Sequence, residues 1–310
     1  MTTVTVTGVD GFVGRHLVRV LRRSGARVVG VSQNVDVDPS LRDDLDRVVT
    51  ADLTRGVSAD ALGDVVVHLA GLASVDASFT HPQRYLTANT AMLTVLGEAV
   101  LRAGRPTRLV IAGSGVVYGS SPSGAPVTEG AAWRPHSPYA VSKAAVEHQA
   151  AYYRSRGVDA VVLRPFNNVG PGQSLGYIVP DLVAAVRRLG DGERLPTRGL
   201  DTRRDYTDVR DVAQAYTLVA LADHVSHTVY NVATGRAVAG ADVLAIVCDE
   251  LGRDMPELHV RAQERRAEDA SSLVGDATRL RQEFGWEPRI PLRESIRDFI
   301  AQTLAEKRVP

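Results

Sequence analysis

Between Val4 and Val31 the chain writes a short apolar run, a glycine turn, an amphipathic stretch and a second short apolar run, an order that few folds accept. Val4 to Thr7 is β-branched and leads into Thr7-Gly-Val-Asp-Gly-Phe-Val-Gly14. From Gly14 the apolar residues Leu17, Val18, Val20 and Leu21 recur at helical spacing, Gly25 closes that helix, and Ala26 to Val31 is apolar again. Strand, turn, helix and strand in this compass make a βαβ unit. Glycines at 8, 11 and 14 permit a tight turn and close backbone approach, so a pyrophosphate can rest on the N-terminus of the following helix. A glycine-rich turn alone is weak evidence. Its place at the first strand–helix junction is what points to a dinucleotide.

The alternation continues. Arg47–Val49, Val65–Leu69, Arg108–Ala112 and Ala160–Leu163 read as short strands, with helices expected near Gln83–Ala103 and Tyr139–Arg156. Short apolar strands alternating with helices predict an α/β chain with a doubly wound parallel sheet, the Rossmann arrangement. After Arg164-Pro165 the texture changes: Gly170-Pro-Gly172 is a turn, Ile178–Leu189 a helix and Gly190–Arg204 a charged loop. Asp208–Ala222 and Gly240–Leu251 read as helices, Thr228–Val232 as a strand, and Ile290–Lys307 as a closing helix. The expected division is a dinucleotide-binding domain over 1–165 and a smaller α/β substrate-binding part over 166–310, some of whose segments return to the first.

Basic and acidic residues number 36 each, and this balance excludes the basic excess of a nucleic-acid or membrane-surface binder. No apolar stretch reaches the roughly 18 residues that span a bilayer, and Met1-Thr2-Thr3 runs straight into a strand, so a cytoplasmic protein is expected. The single cysteine, Cys248, has no partner for an internal disulfide and reads as a small buried apolar side chain. No histidine or cysteine spacing marks a metal site. Asp43-Asp44 and Glu250 read as solvated faces.

Only two of the basic residues are lysines, Lys143 and Lys307, and the first stands four residues after Tyr139 in Ser137-Pro-Tyr-Ala-Val-Ser-Lys143. Arginine is a permanently charged fork, whereas lysine is a compact charge of adjustable pKa. On a helix this spacing puts the ammonium one turn from the phenol, where it is expected to lower the phenol's pKa and ease proton transfer.

With the glycine turn and Tyr139/Lys143 together, the chain resembles the extended short-chain dehydrogenase/reductase family, also called the NAD-dependent epimerase/dehydratase family. Further matches run along the whole chain: Asp52-Leu53, His68-Leu-Ala-Gly71, Asn89, Ser114-Gly-Val-Val-Tyr-Gly119, Arg164-Pro-Phe-Asn167, Arg204-Asp-Tyr-Thr-Asp-Val209, Tyr230-Asn231 and Gly285-Trp-Glu-Pro288. The resemblance implies that Ser114, Tyr139 and Lys143 are catalytic. Tyr139 exchanges a proton with the substrate oxygen, Ser114 hydrogen-bonds that oxygen, and Lys143 supports the phenol and binds the cofactor ribose. It places the cofactor against Gly8, Gly11, Phe12, Val13, Gly14, Ser32, Asp52, Leu53, Leu69, Ala70, Gly71, Tyr139, Lys143 and Pro165. It places a nucleotide-diphosphate sugar against Ser114, Asn167, Arg204 and Arg266, with neighbouring Arg265 competing for the last role. Asn89 either braces the lysine helix or caps a helix, His68 sits beneath the cofactor loop, and a homodimer through a four-helix contact is expected.

Family members that prefer NAD carry an acidic residue where β-strand two ends, and here that position is Ser32. An acidic side chain there would repel a 2′-phosphate, so NADP(H) is favoured, with Arg15 as a phosphate partner, while NAD(H) is also accommodated and Asp36 remains a candidate for the ribose. The dehydratases of the family add Asp-Glu after the active-site serine or threonine, but Gly115-Val116 follow Ser114. Thr7–Gly14, Arg164–Gln173, Asp201-Thr-Arg-Arg-Asp205 and Arg265-Arg-Ala-Glu268 most resemble bacterial GDP-4-keto-6-deoxymannose reductases, which implies hydride transfer from NAD(P)H to C4 of an NDP-4-keto-6-deoxyhexose, GDP- or dTDP-linked. Val116 departs from that pattern, where an acidic residue is expected. The alternatives are an NAD-dependent 4-epimerase of a UDP-sugar and a non-catalytic redox sensor.

Overall fold

The computed structural model describes residues 1–121, 124–190, 192–197, 199–260 and 272–306. Six strands of its central sheet come from the first 165 residues: β1 (Thr3–Thr7), β2 (Arg27–Ser32), β3 (Arg47–Thr50), β4 (Val65–His68), β5 (Arg108–Ala112) and β6 (Asp159–Pro165). The chain then leaves the sheet for β7 (Asn167–Val169), β8 (Leu195–Thr197), β9 (Arg203–Arg204) and β10 (Tyr206–Asp208), and returns with β11 (Val229–Val232). The seven strands lie in the order β11-β6-β5-β4-β1-β2-β3, every pair parallel. This is the doubly wound Rossmann arrangement, and its strand order reverses between β1 and β4.

Parallel neighbours require crossovers, and helices supply them. They are α1 (Phe12–Arg23), a single turn α2 (Pro39–Arg42), α3 (Val75–Thr80), α4 (Pro82–Ala103) and α5 (Pro138–Ser155). Then come α6 (Ile178–Arg188), α7 (Val209–Leu221), α8 (Gly240–Leu251), α9 (Thr278–Phe284) and α10 (Leu292–Glu306). The two-residue period of a strand divides the core. Val65 and Val67 of β4 and Val110 of β5 join Leu17 and Leu21 of α1 and Val212 and Tyr216 of α7 on one face. Val66, Leu109 and Ile111 join Leu93 and Leu96 of α4 and Val146 and Tyr153 of α5 on the other. At Gly97 of α4 a Cβ would fall inside the Tyr153 ring, so this glycine lets α4 and α5 lie close together.

A separate apolar cluster binds the second half. Val179 and Val183 of α6, Val243, Leu244 and Val247 of α8, and Ile296 and Phe299 of α10 pack with Cys248, which is buried as expected. Two expectations change here. Gly190–Arg204 is not all loop, because β8 pairs in parallel with Leu258–Val260, and β9 pairs with Val238–Ala239 and Ser272–Leu273. Those partners lie far away in sequence, so no local pattern announces the strands. Glu250 is not on a solvated face: its carboxylate takes Arg293 at 3.0 Å and Arg297 at 2.9 Å, tying α8 to α10. Among the described residues no helix is long and apolar enough to cross a membrane, and no group of three or more His, Cys, Asp or Glu could hold a metal.

Candidate active site

In an open parallel sheet, ligands bind beyond the carboxyl ends of the strands where the order reverses. A cleft of about 660 Å³ opens there, lined by the glycine turn, Leu69 and Gly71 after β4, Ser114, Tyr139, Lys143, and Pro165 to Val169. The turn is fixed by its own crowding. Gly8 has φ +66°, its N–H donates to Val31 O at 2.9 Å, and a Cβ there would meet Ala70 N at 2.8 Å. A Cβ at Gly14 would overlap the Gly8 carbonyl oxygen. The N-cap of α1 is Gly11, which offers no side-chain cap, and the helix has no acidic residue in its first turn. The first N–H groups of α1 therefore face the cleft unanswered by a side chain. That suits an anion such as a pyrophosphate, and the residues present fit a dinucleotide.

Beneath the turn, Thr7 Oγ1 accepts from Ala70 N at 3.2 Å and lies 2.8 Å from His68 Nδ1. Burial, aided by the Lys143 charge, pushes His68 down to about 3, so its imidazole is neutral and braces the loop. Asn89 also braces. Its Oδ1 accepts from Leu72 N at 2.8 Å, and its Nδ2 donates to Leu72 O at 3.1 Å and to Ser142 Oγ at 2.9 Å. It therefore joins the loop after β4 to the helix of Lys143 and caps nothing.

Helix α5 begins where the chemistry needs it. Ser137 accepts from Ala140 N at 3.1 Å as N-cap, and Pro138 follows in the first turn. Tyr139, Lys143 and Glu147 then fall on one stripe at i, i+4 and i+8. Lys143 Nζ donates to Ala112 O at 2.8 Å and stands 6.0 Å from the centre of the Tyr139 ring. Burial pushes the ammonium down to about 8, opposed by the Glu147 carboxylate. The expected depression of the phenol is not found: burial pushes Tyr139 up to about 12, offset in part by its hydrogen bond with Ser114. Ser114 also accepts from Val116 N at 3.3 Å, at the head of a 3₁₀ turn over Gly115–Tyr118. The phenol edge-packs against Tyr85, ring centres 6.4 Å apart.

Behind this stripe is a buried charge pair that sequence reasoning missed, although Glu147 is one helical turn beyond Lys143. Arg164 Nη2 meets Glu147 Oε2 at 2.7 Å with both side chains 3% exposed. Arg164 also donates to Tyr118, whose hydroxyl donates to Asn231 Oδ1 at 2.8 Å. The chain β6–α5–β11 is thereby locked just under the catalytic stripe.

On the substrate side Asn167 and Arg204 both line the cleft, and Arg265 and Arg266 lie outside the described residues. Asn167 Nδ2 donates to Asp205 O at 3.3 Å, and the buried Asp205 carboxylate ties β10's approach to Thr234 and Gly235. Two buried acceptors near this wall, Asn168 Oδ1 and Gln173 Oε1, have no hydrogen-bond partner among the described residues. Both belong to the stretch Arg164–Gln173 that carries the resemblance to the reductases, though neither is singled out as a site residue there. Val116 presents an isopropyl group to the cleft where a carboxylate was expected.

Ser32, Asp52 and Leu53 sit farther along, at the ends of β2 and β3. Asp52 is turned in on itself, accepting from Thr54 N at 2.9 Å and Thr54 Oγ1 at 2.7 Å, which holds its carboxyl below the usual range. Ser32 Oγ donates to Asp10 Oδ2 at 3.0 Å and accepts from Asn34 N at 2.8 Å. Arg15 is likewise engaged, with Asp10 O at 2.9 Å and Asp38 Oδ2 at 3.2 Å. Both residues on which NADP(H) rested are thus committed to carboxylate-bearing neighbours.

Comparison with known proteins agrees with this geometry. The model of the "NAD dependent epimerase/dehydratase family" matches residues 4–233. The chain is 31% identical to a GDP-6-deoxy-D-mannose reductase of Pseudomonas aeruginosa, over 96% of this chain and 95% of that one. It is also 31% identical to a UDP-glucose 4-epimerase of Azospirillum brasilense, over 92% and 87% of the two chains. Among solved structures, MoeE5 in complex with UDP-glucuronic acid and NAD superposes with a TM-score of 0.86 at 33% identity, covering 98% of this chain and 99% of that one. The glycine cradle, the Tyr139/Lys143 stripe and these likenesses together make the chain a member of the NAD dependent epimerase/dehydratase family of enzymes.

Proposed function

We propose that the protein is a nucleotide-sugar 4-ketoreductase acting on an NDP-4-keto-6-deoxyhexose, GDP-4-keto-6-deoxymannose or a dTDP analogue. The observation that carries this is the Tyr139 phenol, protonated at neutrality as any tyrosine is, hydrogen-bonded to Ser114 and set with Lys143 on the cleft wall. Its proton can pass to a ketone oxygen beside Ser114, and because burial weakens the phenol as an acid, that transfer depends on steadying the phenolate left behind. The near full-length likeness to the Pseudomonas reductase supports the same reading. Bound in the cleft, the reduced nicotinamide supplies a hydride to C4. Tyr139 gives its proton to the oxygen, Ser114 donates a hydrogen bond to that oxygen as charge builds, and Lys143 steadies the phenolate that remains. Asn167, Arg204 and Arg266 hold the diphosphate, for which the arginine fork is suited. Residues 1–165 hold the dinucleotide and 166–310 mainly the sugar nucleotide. A homodimer forms through α4 and α5, where Leu86, Val141 and Tyr152 are exposed.

The coenzyme is NAD(P)H. The lack of an acidic residue at the end of β2 speaks for NADP(H), and the Asp10 carboxylate beside Ser32 speaks for NAD(H). That same carboxylate favours a second reading, a UDP-sugar 4-epimerase that retains NAD, since the missing acidic group was the objection to it. A panel of GDP-, dTDP- and UDP-4-keto-6-deoxy sugars, run beside UDP-hexoses, separates them. The ketoreductase consumes one NAD(P)H per ketone lost, and Tyr139→Phe lowers that turnover about 10²–10⁴-fold while still binding dinucleotide. Interconversion of UDP-hexoses with no net NAD(P)H consumption would establish the epimerase instead.

A further inference from the structure

The second strand ends without an acidic residue of its own, yet the fold carries a carboxylate to that place. Asp10 lies inside the glycine turn, and the turn is docked on β2 through Gly8 N to Val31 O at 2.9 Å. From there its Oδ2 takes the Ser32 hydroxyl at 3.0 Å and the Asn34 side-chain amide. Both of these bonds fall on one oxygen. Among the described residues no hydrogen bond to Oδ1 is found, so that oxygen is available to a ligand hydroxyl. The Ser32 hydroxyl donates to Asp10 and accepts from Asn34 N, so it fixes the carboxylate instead of reading a ligand itself. The nearest cation, Arg15, has its guanidinium on Asp38 and on the Asp10 carbonyl. A 2′-phosphate placed beside Ser32, at the end of β2, would meet the Asp10 carboxylate, and Arg15 stands in a half-exposed pair with Asp38.

We propose that Asp10 is the residue that selects the coenzyme. Its carboxylate binds the adenosine ribose hydroxyls and excludes a 2′-phosphate, so the chain prefers NAD(H). The charge that a Rossmann strand ordinarily supplies from the end of β2 is here supplied from the turn before α1. This rests on the reading that the cleft holds a nicotinamide dinucleotide and is independent of which sugar is reduced.

The test is equilibrium titration of the full chain with NADH and with NADPH, followed by reduced-nicotinamide fluorescence without any sugar present. The wild type binds NADH about tenfold or more tighter than NADPH. Asp10→Asn keeps the size of the side chain and Asp10→Ser empties the position. Both narrow the NADPH/NADH ratio of dissociation constants by about tenfold, roughly the effect of 1.4 kcal/mol, while Asp10→Glu retains the wild-type preference. An unchanged melting temperature shows that the variants fold. A wild type that prefers NADPH, or a ratio that stays within twofold in both charge-free variants, overturns the proposal and leaves the dinucleotide site standing. Failure of either dinucleotide to bind the wild type overturns the site and the proposal together.

Discussion

Burial acts in opposite senses on the two residues of the proposed catalytic stripe. The neutral form of each is favoured, so the Tyr139 phenol rises to about 12 and the Lys143 ammonium falls to about 8. Tyr139 is therefore protonated across the neutral range, and in the proposed mechanism the ionisation that governs the rate is that of Lys143. The steadying charge exists below its pKa, so kcat/KM for ketone reduction should be flat below about pH 8 and fall as pH rises through it. A pH–rate profile that stays flat to pH 10 would contradict this. The same shift has a stability consequence. Lys143 titrates at a lower pH folded than unfolded, so between about 8 and 10.4 the unfolded chain holds more protons and this residue's contribution to stability grows with pH. The stripe itself was legible because a four-residue spacing is a local property of a helix. The direction of the phenol's shift was not legible, since it depends on how deeply Tyr85 and neighbouring walls enclose it.

At the scale of elements, the position of α5 is set by charge as well as by packing. Glu147 and Arg164 are each 3% exposed by side chain and form a bidentate pair between α5 and β6. Replacing Glu147 with Leu leaves a buried guanidinium without its carboxylate, and the expected cost is about 3–5 kcal/mol. Chemical denaturation reads that loss directly, and a change below about 1 kcal/mol would show that the pair does not hold the helix. The βαβ units were readable because β-branched runs, glycine turns and helical spacing are all local. β9 and β10 were not readable as strands, being two and three residues long and defined by partners far away. Asp10 belongs to the same class: its neighbours Ser32 and Asn34 come to it only through the β1–β2 register. A reading that counted along β2 for a carboxylate had no means of seeing one arrive from the turn.

At the scale of the molecule, the sheet brings the glycine turn, Ser114 and Pro165 to one edge, and the α6–α8–α10 cluster supports the wall that faces them. The cleft between them is lined by the residues proposed for hydride transfer and by Asn167 and Arg204 for the diphosphate. The sugar is the part least legible in sequence, because the cleft wall near it is assembled from separated segments such as Asn168, Gln173 and Val116. The central claim is that this cleft delivers a hydride to a ketone carbon while Tyr139 delivers the proton. The most direct measurement uses coenzyme deuterated at C4 of the nicotinamide, with GDP-4-keto-6-deoxymannose and its dTDP analogue, and NMR of the sugar product. The account predicts one deuterium at C4 of the product and equimolar oxidised coenzyme. A product lacking deuterium at C4, formed with no coenzyme oxidised, would contradict it.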